Sequence, residues 1–358
     1  MVYGDKIPPN QLEKIIHFCR REKDLYNIGE IAIACSIKDM LCSHLKPFTY
    51  TPAEVEELEK PQRSEFLKTL NQHDLCVIGG GGLYSKFFLP FNAQVIKSIE
   101  TPIVLYGIGY IRNLGDKDLT DVQIESARLL NTHARLTSVR DEYTCKFLRD
   151  LEIRDVHVIG DPAIFLGSEE TNQFALDKNK IKIGVNVASH YWTLYPQYLR
   201  RTIDEYVKAC EFLIKRLDAE IVYLIHHSDE HQVAKAMKEK KLPLKVVDTT
   251  PNPYKMKFIY GKLDLVIGMM MHSTVLAFGS GVPIVNVAYD AKNYNFMEFI
   301  GQGDEVVDVR EADSKKISDL AIRTIDDSKN IKAGFKALKS KLWRRQEDFL
   351  TKIKELCT

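Results

Sequence analysis

The sequence predicts an α/β protein of two domains, each built on a mainly parallel sheet, and three observations predict it. Short β-rich runs closed by Gly, Pro or polar turns alternate with helical stretches, the spacing of βαβ units. A polar segment, GSEETNQFALDKNK at 167–180, lacks sustained apolar periodicity and separates two such series. The chain has 358 residues, more than one hydrophobic core usually serves.

The first series has strand signals in DLCVIGG (74–80), TPIVLYGIG (101–109), ARLTSVR (134–140) and DVHVIGDP (155–162), with helical stretches at 119–131 and 141–151. The second runs through KIGVNVA (182–188), a helix near 197–217, AEIVYLIHH (219–227), a helix near 229–240 and LKVVD (244–248). It ends with LDLVIGM (263–269), a helix near 272–279 and VPIVNVAYD (282–290). The expected organisation is an N-terminal Rossmann-like domain over 1–168, a linker over 169–180 and a C-terminal Rossmann-like domain over 181–328. Two such halves facing a cleft make an architecture of the glycosyltransferase-B type. A C-terminal amphipathic helix over 329–358 is expected to pack on the body. Phe335, Leu338, Leu342, Phe349, Ile353 and Leu356 fall on one apolar face of it. Its polar side carries Lys332, Lys336, Lys339, Lys341, Arg344, Arg345, Lys352 and Lys354, a solvated basic face or a peripheral contact with an anionic membrane surface.

Net charge is +1, from 50 basic and 49 acidic residues, so no overall basic excess points to nucleic acid. Seven dispersed cysteines without a CxxC pair argue for reduced thiols and a cytoplasmic setting. The start shows no positive region followed by an apolar run, so no signal peptide is expected. The uncharged stretch between Asp264 and Asp290 is long enough to span a bilayer. Gly268, His272, Gly279, Gly281 and Pro283 interrupt it, so it reads as strand, short helix and strand inside a core.

The stretch 263–301 resembles the C-terminal signature of the polysaccharide pyruvyl transferase family, on Gly268, His272, Gly281-Val282-Pro283, Tyr289-Asp290, Lys292 and Phe296. NIGEIAI (27–33), GGGGLYS (79–85), SVRDEYT (138–144) and GDPAIFL (160–166) resemble the family's N-terminal motifs in order and spacing. Two positions depart from the pattern. Met270 stands where the family has Arg before the His, and HFCRREKDLY (17–26) stands where a strand is expected before Asn-x-Gly.

The resemblance implies an enzyme that moves an enolpyruvyl group from phosphoenolpyruvate to a sugar acceptor with loss of phosphate, forming a ketal without a cofactor. His272, at the expected start of a helix where the dipole favours an anion, is the catalytic candidate; the alternative is a packing histidine. Arg140, Lys292, Ser273 and His226 are the donor-binding candidates. Arg140 has a structural pairing with Asp141 as its alternative, and Lys292 one with Asp290. Asn27, Gly29, Glu30, Gly80, Gly81 and Gly82 are the acceptor-binding candidates. For these, Asn27 as a helix cap and the glycines as a tight strand-to-helix turn are the plain readings. His226, His227, Asp229 and His231 straddle a strand end and a helix start, which divides their directions and argues against a metal site. Two other functions fit the same layout: a glycosyltransferase using a nucleotide-sugar donor, and a diverged non-catalytic binding protein.

Overall fold

The computed structural model describes residues 12–19, 27–61, 64–112, 116–188 and 196–357. The chain divides into two compact units. One takes in the described residues of Met1–Arg21, Ile33–Pro162 and Lys341–Thr358; the other takes in those of Glu22–Ala32 and Ala163–Ser340.

The first unit contains β1 (Lys14–Cys19), the part of α1 (Ile28–His44) from Ile33 on, β2 (Thr49–Glu54), α2 (Ser64–Leu70) and β3 (Leu75–Tyr84). It continues with α3 (Ala93–Lys97), β4 (Ile103–Tyr110), α4 (Asp121–His133), β5 (Leu136–Val139), α5 (Glu142–Asp150) and β6 (His157–Val158). The strands form one parallel sheet in the order β2-β1-β3-β4-β5-β6. The strand order reverses between β1 and β3, the kind of position where open α/β sheets receive ligands.

Two sequence expectations change here. The strand thought missing before the Asn-x-Gly motif is present as β1, with Ile15, Ile16 and Phe18 buried. His17 interrupts the apolar run, yet it is fully buried; one ring nitrogen bonds the Gly79 carbonyl and the other the Tyr50 hydroxyl at 2.6 Å. His17–Cys19 of the stretch 17–26 belong to this strand, and 20–26 lie outside the described residues. The run Gly79–Gly82 is not a strand-to-helix turn but part of β3, paired with β4 through Gly79–Tyr106 and Gly81–Ile108. Its glycines serve close approach: a Cβ on Gly79 would lie 2.2 Å from the Tyr106 carbonyl oxygen, and φ is +146° there.

The second unit contains β7 (Ile181–Val185), α6 (Pro196–Leu217), β8 (Ala219–Leu224), α7 (Glu230–Glu239), β9 (Leu244–Val247) and α8 (Pro253–Tyr260). Then come β10 (Leu265–Gly268), α9 (Met271–Ser280), β11 (Ile284–Ala288), α10 (Ala291–Phe299), β12 (Val306–Asp308), α11 (Ser314–Asp326) and the part of α12 (Ser328–Leu356) up to Ser340, the rest of α12 belonging to the first unit. All neighbours are parallel in the order β12-β11-β10-β7-β8-β9, so the order reverses between β7 and β10. The uncharged stretch between Asp264 and Asp290 is β10, α9 and β11, and no described helix is long and apolar enough to cross a membrane.

The end of α9 is closed by Gly281 in the left-handed region and by two cations, which suit the negative end of the helix dipole. The Lys257 ammonium, buried, lies 3.2 Å from the Ile164 carbonyl and 3.4 Å from that of Leu276; Lys339 holds the Gly279 carbonyl. The segment 167–180 is pinned along the second unit. The Glu169 N–H donates to the Tyr254 carbonyl, and the Asp177 N–H to the Glu220 carboxylate.

In α12, Phe335, Leu342, Phe349 and Ile353 are buried, as the apolar face requires. Not all of its basic face is solvated: Lys339 is taken up by Gly279, and Arg345 donates to the Val158 carbonyl at 3.3 Å. Lys332, Lys336, Lys341, Arg344, Lys352 and Lys354 are exposed.

Candidate functional site

The reversal point of the second unit gathers most of the candidate residues. β10 ends at Gly268 and α9 begins at Met271, so His272 is the second residue of a helix whose N-terminus faces the C-terminal edge of the sheet. The Asn-x-Gly-Glu motif belongs to this unit as well. The Ile28 N–H donates to the His226 carbonyl at 2.9 Å, and Asn27 forms an antiparallel bridge with His227. Asn27 caps α1, its side-chain oxygen accepting from Gly29 N–H at 3.1 Å and Glu30 N–H at 3.4 Å. Gly29 then packs directly against His272. Thus the acceptor candidate Gly29 and the catalytic candidate His272, about 240 positions apart, meet on this unit, beside the donor candidate His226 that accepts from Ile28.

The donor candidates divide. Lys292 pairs with the fully buried Asp290 at 3.4 Å, with its ammonium 5.2 Å from the Tyr289 ring centroid. Asp290 caps α10 by accepting from the Lys292 N–H. The Ser273 hydroxyl donates to the Met270 carbonyl at 2.6 Å, closing the first turn of α9. His226 is fully buried, bonded through Nε2 to the Tyr260 hydroxyl at 2.7 Å, and burial pushes its pKa down to about 3. It is therefore a neutral imidazole, and what it contributes to the motif is its backbone carbonyl.

Arg140 lies in the first unit, with its guanidinium between Asp141 at 3.2 Å and Asp161 at 3.8 Å. The group is 2% exposed and fits only because Gly109 has no side chain: a Cβ there would lie 2.3 Å from Nε. Gly80, Gly81 and Gly82 are also in this unit, with Gly80 and Gly81 under the side chain of Ile33 from α1.

Sequence reasoning missed four residues here: Asn186, Glu230, Asn286 and Asn293. Asn186 follows β7 and donates to the Leu224 carbonyl at 2.9 Å and to Glu230 at 3.0 Å. Glu230, the first residue of α7, also accepts from the His226 N–H at 2.6 Å. It is fully buried, and burial raises its pKa to about 8. A signal was available: Val185-Asn186-Val187 and Val285-Asn286-Val287 each place one amide in an otherwise apolar strand run. The His226–His231 group holds no metal-like arrangement. His231 pairs with Asp248 at 2.8 Å and His227 with Asp229 at 3.6 Å, and no cluster of three His, Cys, Asp or Glu positioned for a metal occurs among the described residues.

The fold is shared with sugar-nucleotide epimerases. The chain is similar to the UDP-GlcNAc 2-epimerase of Methanocaldococcus jannaschii in complex with UDP-GlcNAc and UDP, at 12% identity and a TM-score of 0.56, covering 92% of this chain and 99% of that one. The Neisseria meningitidis UDP-GlcNAc 2-epimerase bound to UDP-GlcNAc gives 12% identity and a TM-score of 0.57, with 92% and 100% covered. S. aureus MnaA with UDP gives 12% and 0.58, with 90% of each chain covered. At these identities the likeness shows the fold, two Rossmann-like units of the glycosyltransferase-B type. No curated protein matches the sequence. The profile of polysaccharide pyruvyl transferases matches residues 7–291, a span that contains Asn27, Gly29, Arg140, His272 and Asp290. The chain belongs to the polysaccharide pyruvyl transferase family.

Proposed function

We propose that this protein transfers an enolpyruvyl group from phosphoenolpyruvate to a sugar of a cell-surface polysaccharide or glycan precursor, forming a ketal. Two sugar hydroxyl oxygens bond to C2 of the enolpyruvyl group as their O–H bonds and the C2–O bond to phosphate break; of the two protons released, one ends on the methylene carbon, which becomes methyl, and one on the departing phosphate. The chemistry needs a cation and amide donors for the phosphate, and a proton for the departing oxygen.

The observation that carries this reading is His272 at the N-terminus of α9, on the reversal point of its sheet and against the Asn-x-Gly motif. In this assignment His272 protonates the leaving phosphate, and Lys292 exchanges part of its pairing with Asp290 for the anion. Met270, which stands where the family has Arg, has an uncharged thioether, and Lys292 takes the role of the cation. Incubation with phosphoenolpyruvate and a panel of glycan acceptors, followed by phosphate release and acceptor mass, tests the reading. Turnover should disappear in His272→Ala. Stabilisation by nucleoside diphosphates but not by phosphoenolpyruvate in a thermal-shift screen would favour a nucleotide-sugar donor instead. The exposed cations of α12 support a peripheral contact with an anionic membrane surface, which sedimentation with anionic against neutral vesicles tests.

A further inference from the structure

The turn joining β10 to α9 is two residues long, Met269 and Met270. Three consecutive residues, 268 to 270, are each gripped by a different buried asparagine. Asn286 of β11 donates to the Gly268 carbonyl at 2.8 Å, and Asn293 of α10 donates to the Met269 carbonyl at 2.9 Å. The Met270 N–H donates to the Asn186 side-chain oxygen at 3.0 Å. The three amides are 0%, 1% and 0% exposed for Asn186, Asn293 and Asn286. Burying amides among Val and Ile side chains carries a desolvation cost that apolar residues of similar size would avoid, and it is the greater here because the side-chain oxygens of Asn286 and Asn293 have no hydrogen-bond partner among the described residues; what each amide gains is its bond to this turn. Ser273 locks the next turn by donating to Met270, and Glu230 in turn holds Asn186.

We propose that Asn186, Asn286 and Asn293 are positioning residues: by fixing the 268–270 backbone they aim the imidazole of His272, two residues on, against Gly29. This deepens the proposed transfer reaction and rests on the role given there to His272. None of the three asparagines is assigned contact with substrate.

The test uses Asn293→Leu and Asn286→Val, with Asn293→Asp and Asn286→Asp as second variants in case an apolar replacement does not fold. Asn186 is left alone because its loss would also strip Glu230 of a partner. The full chain carries isotope-labelled histidine, and the His272 ring signal is assigned by its absence in His272→Ala. The apparent pKa or tautomer balance of His272 should change in the asparagine variants, while the signals of His44 and His133, both in the first unit, stay in place. Under phosphoenolpyruvate turnover, kcat should fall about tenfold with KM within about twofold. Unchanged His272 signals in folded variants would overturn the proposal. Full activity in His272→Ala would overturn the role given to His272, and no phosphoenolpyruvate turnover by the wild-type chain would overturn the transfer reading, leaving the ring signals to decide the asparagines separately.

Discussion

Gly29 and His272 share a contact surface with no room for one more carbon. A Cβ on Gly29 would lie 2.2 Å from Cγ of the imidazole and 2.4 Å from both its Cβ and Nδ1. The atoms in the way are the root of the ring, which cannot swing aside as a flexible tip could. Gly29→Ala should displace His272, lower kcat by about tenfold or more and destabilise the fold by about 1–3 kcal/mol. Steady-state kinetics with denaturant unfolding checks this; wild-type turnover in the variant would remove His272 orientation from the mechanism.

Lys292 and Asp290 offer a way to separate stability from function. Removing the lysine alone leaves a fully buried carboxylate without its cation, and Lys292→Met should cost about 3–5 kcal/mol. The double change Lys292→Met with Asp290→Asn should recover most of that stability. If Lys292 serves the anionic donor, activity stays lost in the double variant; recovery of both together would assign Lys292 a structural role.

Burial raises the Glu230 carboxyl from 4.5 to about 8, outweighing hydrogen bonds from His226, Asn186 and His227 that favour the charged form. In the unfolded chain the group ionises near 4.5, so between that value and about 8 the folded state holds the extra proton. Stability therefore declines as pH rises through this window and levels off above it. The neighbouring His226, held down to about 3 with an ordinary value of 6.5, adds slope only below that ordinary value. Glu230→Gln should flatten the decline between roughly pH 7 and 8.5, by about 1 kcal/mol or more, in urea unfolding series. Equal slopes for both proteins would show that Glu230 does not titrate there.

The Lys257 ammonium is buried against the Ile164 and Leu276 carbonyls at the end of α9. Lys257→Met keeps the stem and removes the donor, leaving carbonyls unsatisfied at the negative end of the helix. A loss of about 1–3 kcal/mol in the unfolding midpoint series is expected, with KM for the donor unchanged. A shifted KM would instead implicate this end of the helix in binding.

How much of this was legible depends on what each segment advertises. Strand runs such as VIGG, IVLYGIG and IVNVA are apolar enough to be read directly, and β3, β4 and β11 lie where they were expected. β1 was hidden because His17 sits in the middle of KIIHFC, and only the Gly79 carbonyl and Tyr50 hydroxyl explain its burial. β3 runs through the glycines because pairing with β4 continues across them, a long-range fact that local turn propensity opposes. His272 at a helix start was readable from the strand, the following small residues and Gly281. The asparagines were not, since a lone Asn in a strand announces a satisfied partner without saying which one. His226 misled for a related reason: the burial that makes it neutral comes from elements distant in sequence.

The first unit borrows its last helical segment from far along the chain. Phe349 meets Tyr106 edge to face at 5.4 Å, and the Gln346 side chain accepts from the Tyr106 hydroxyl at 2.8 Å, both in the middle of that unit's interior. On a ribosome, β4 emerges roughly 240 residues before those partners do. Tyr106 must therefore wait for these partners while residues 163–340 of the second unit are synthesised. Maturation of the two halves is coupled in time, and an early stop or a frameshift in the final turns would damage the portion translated first.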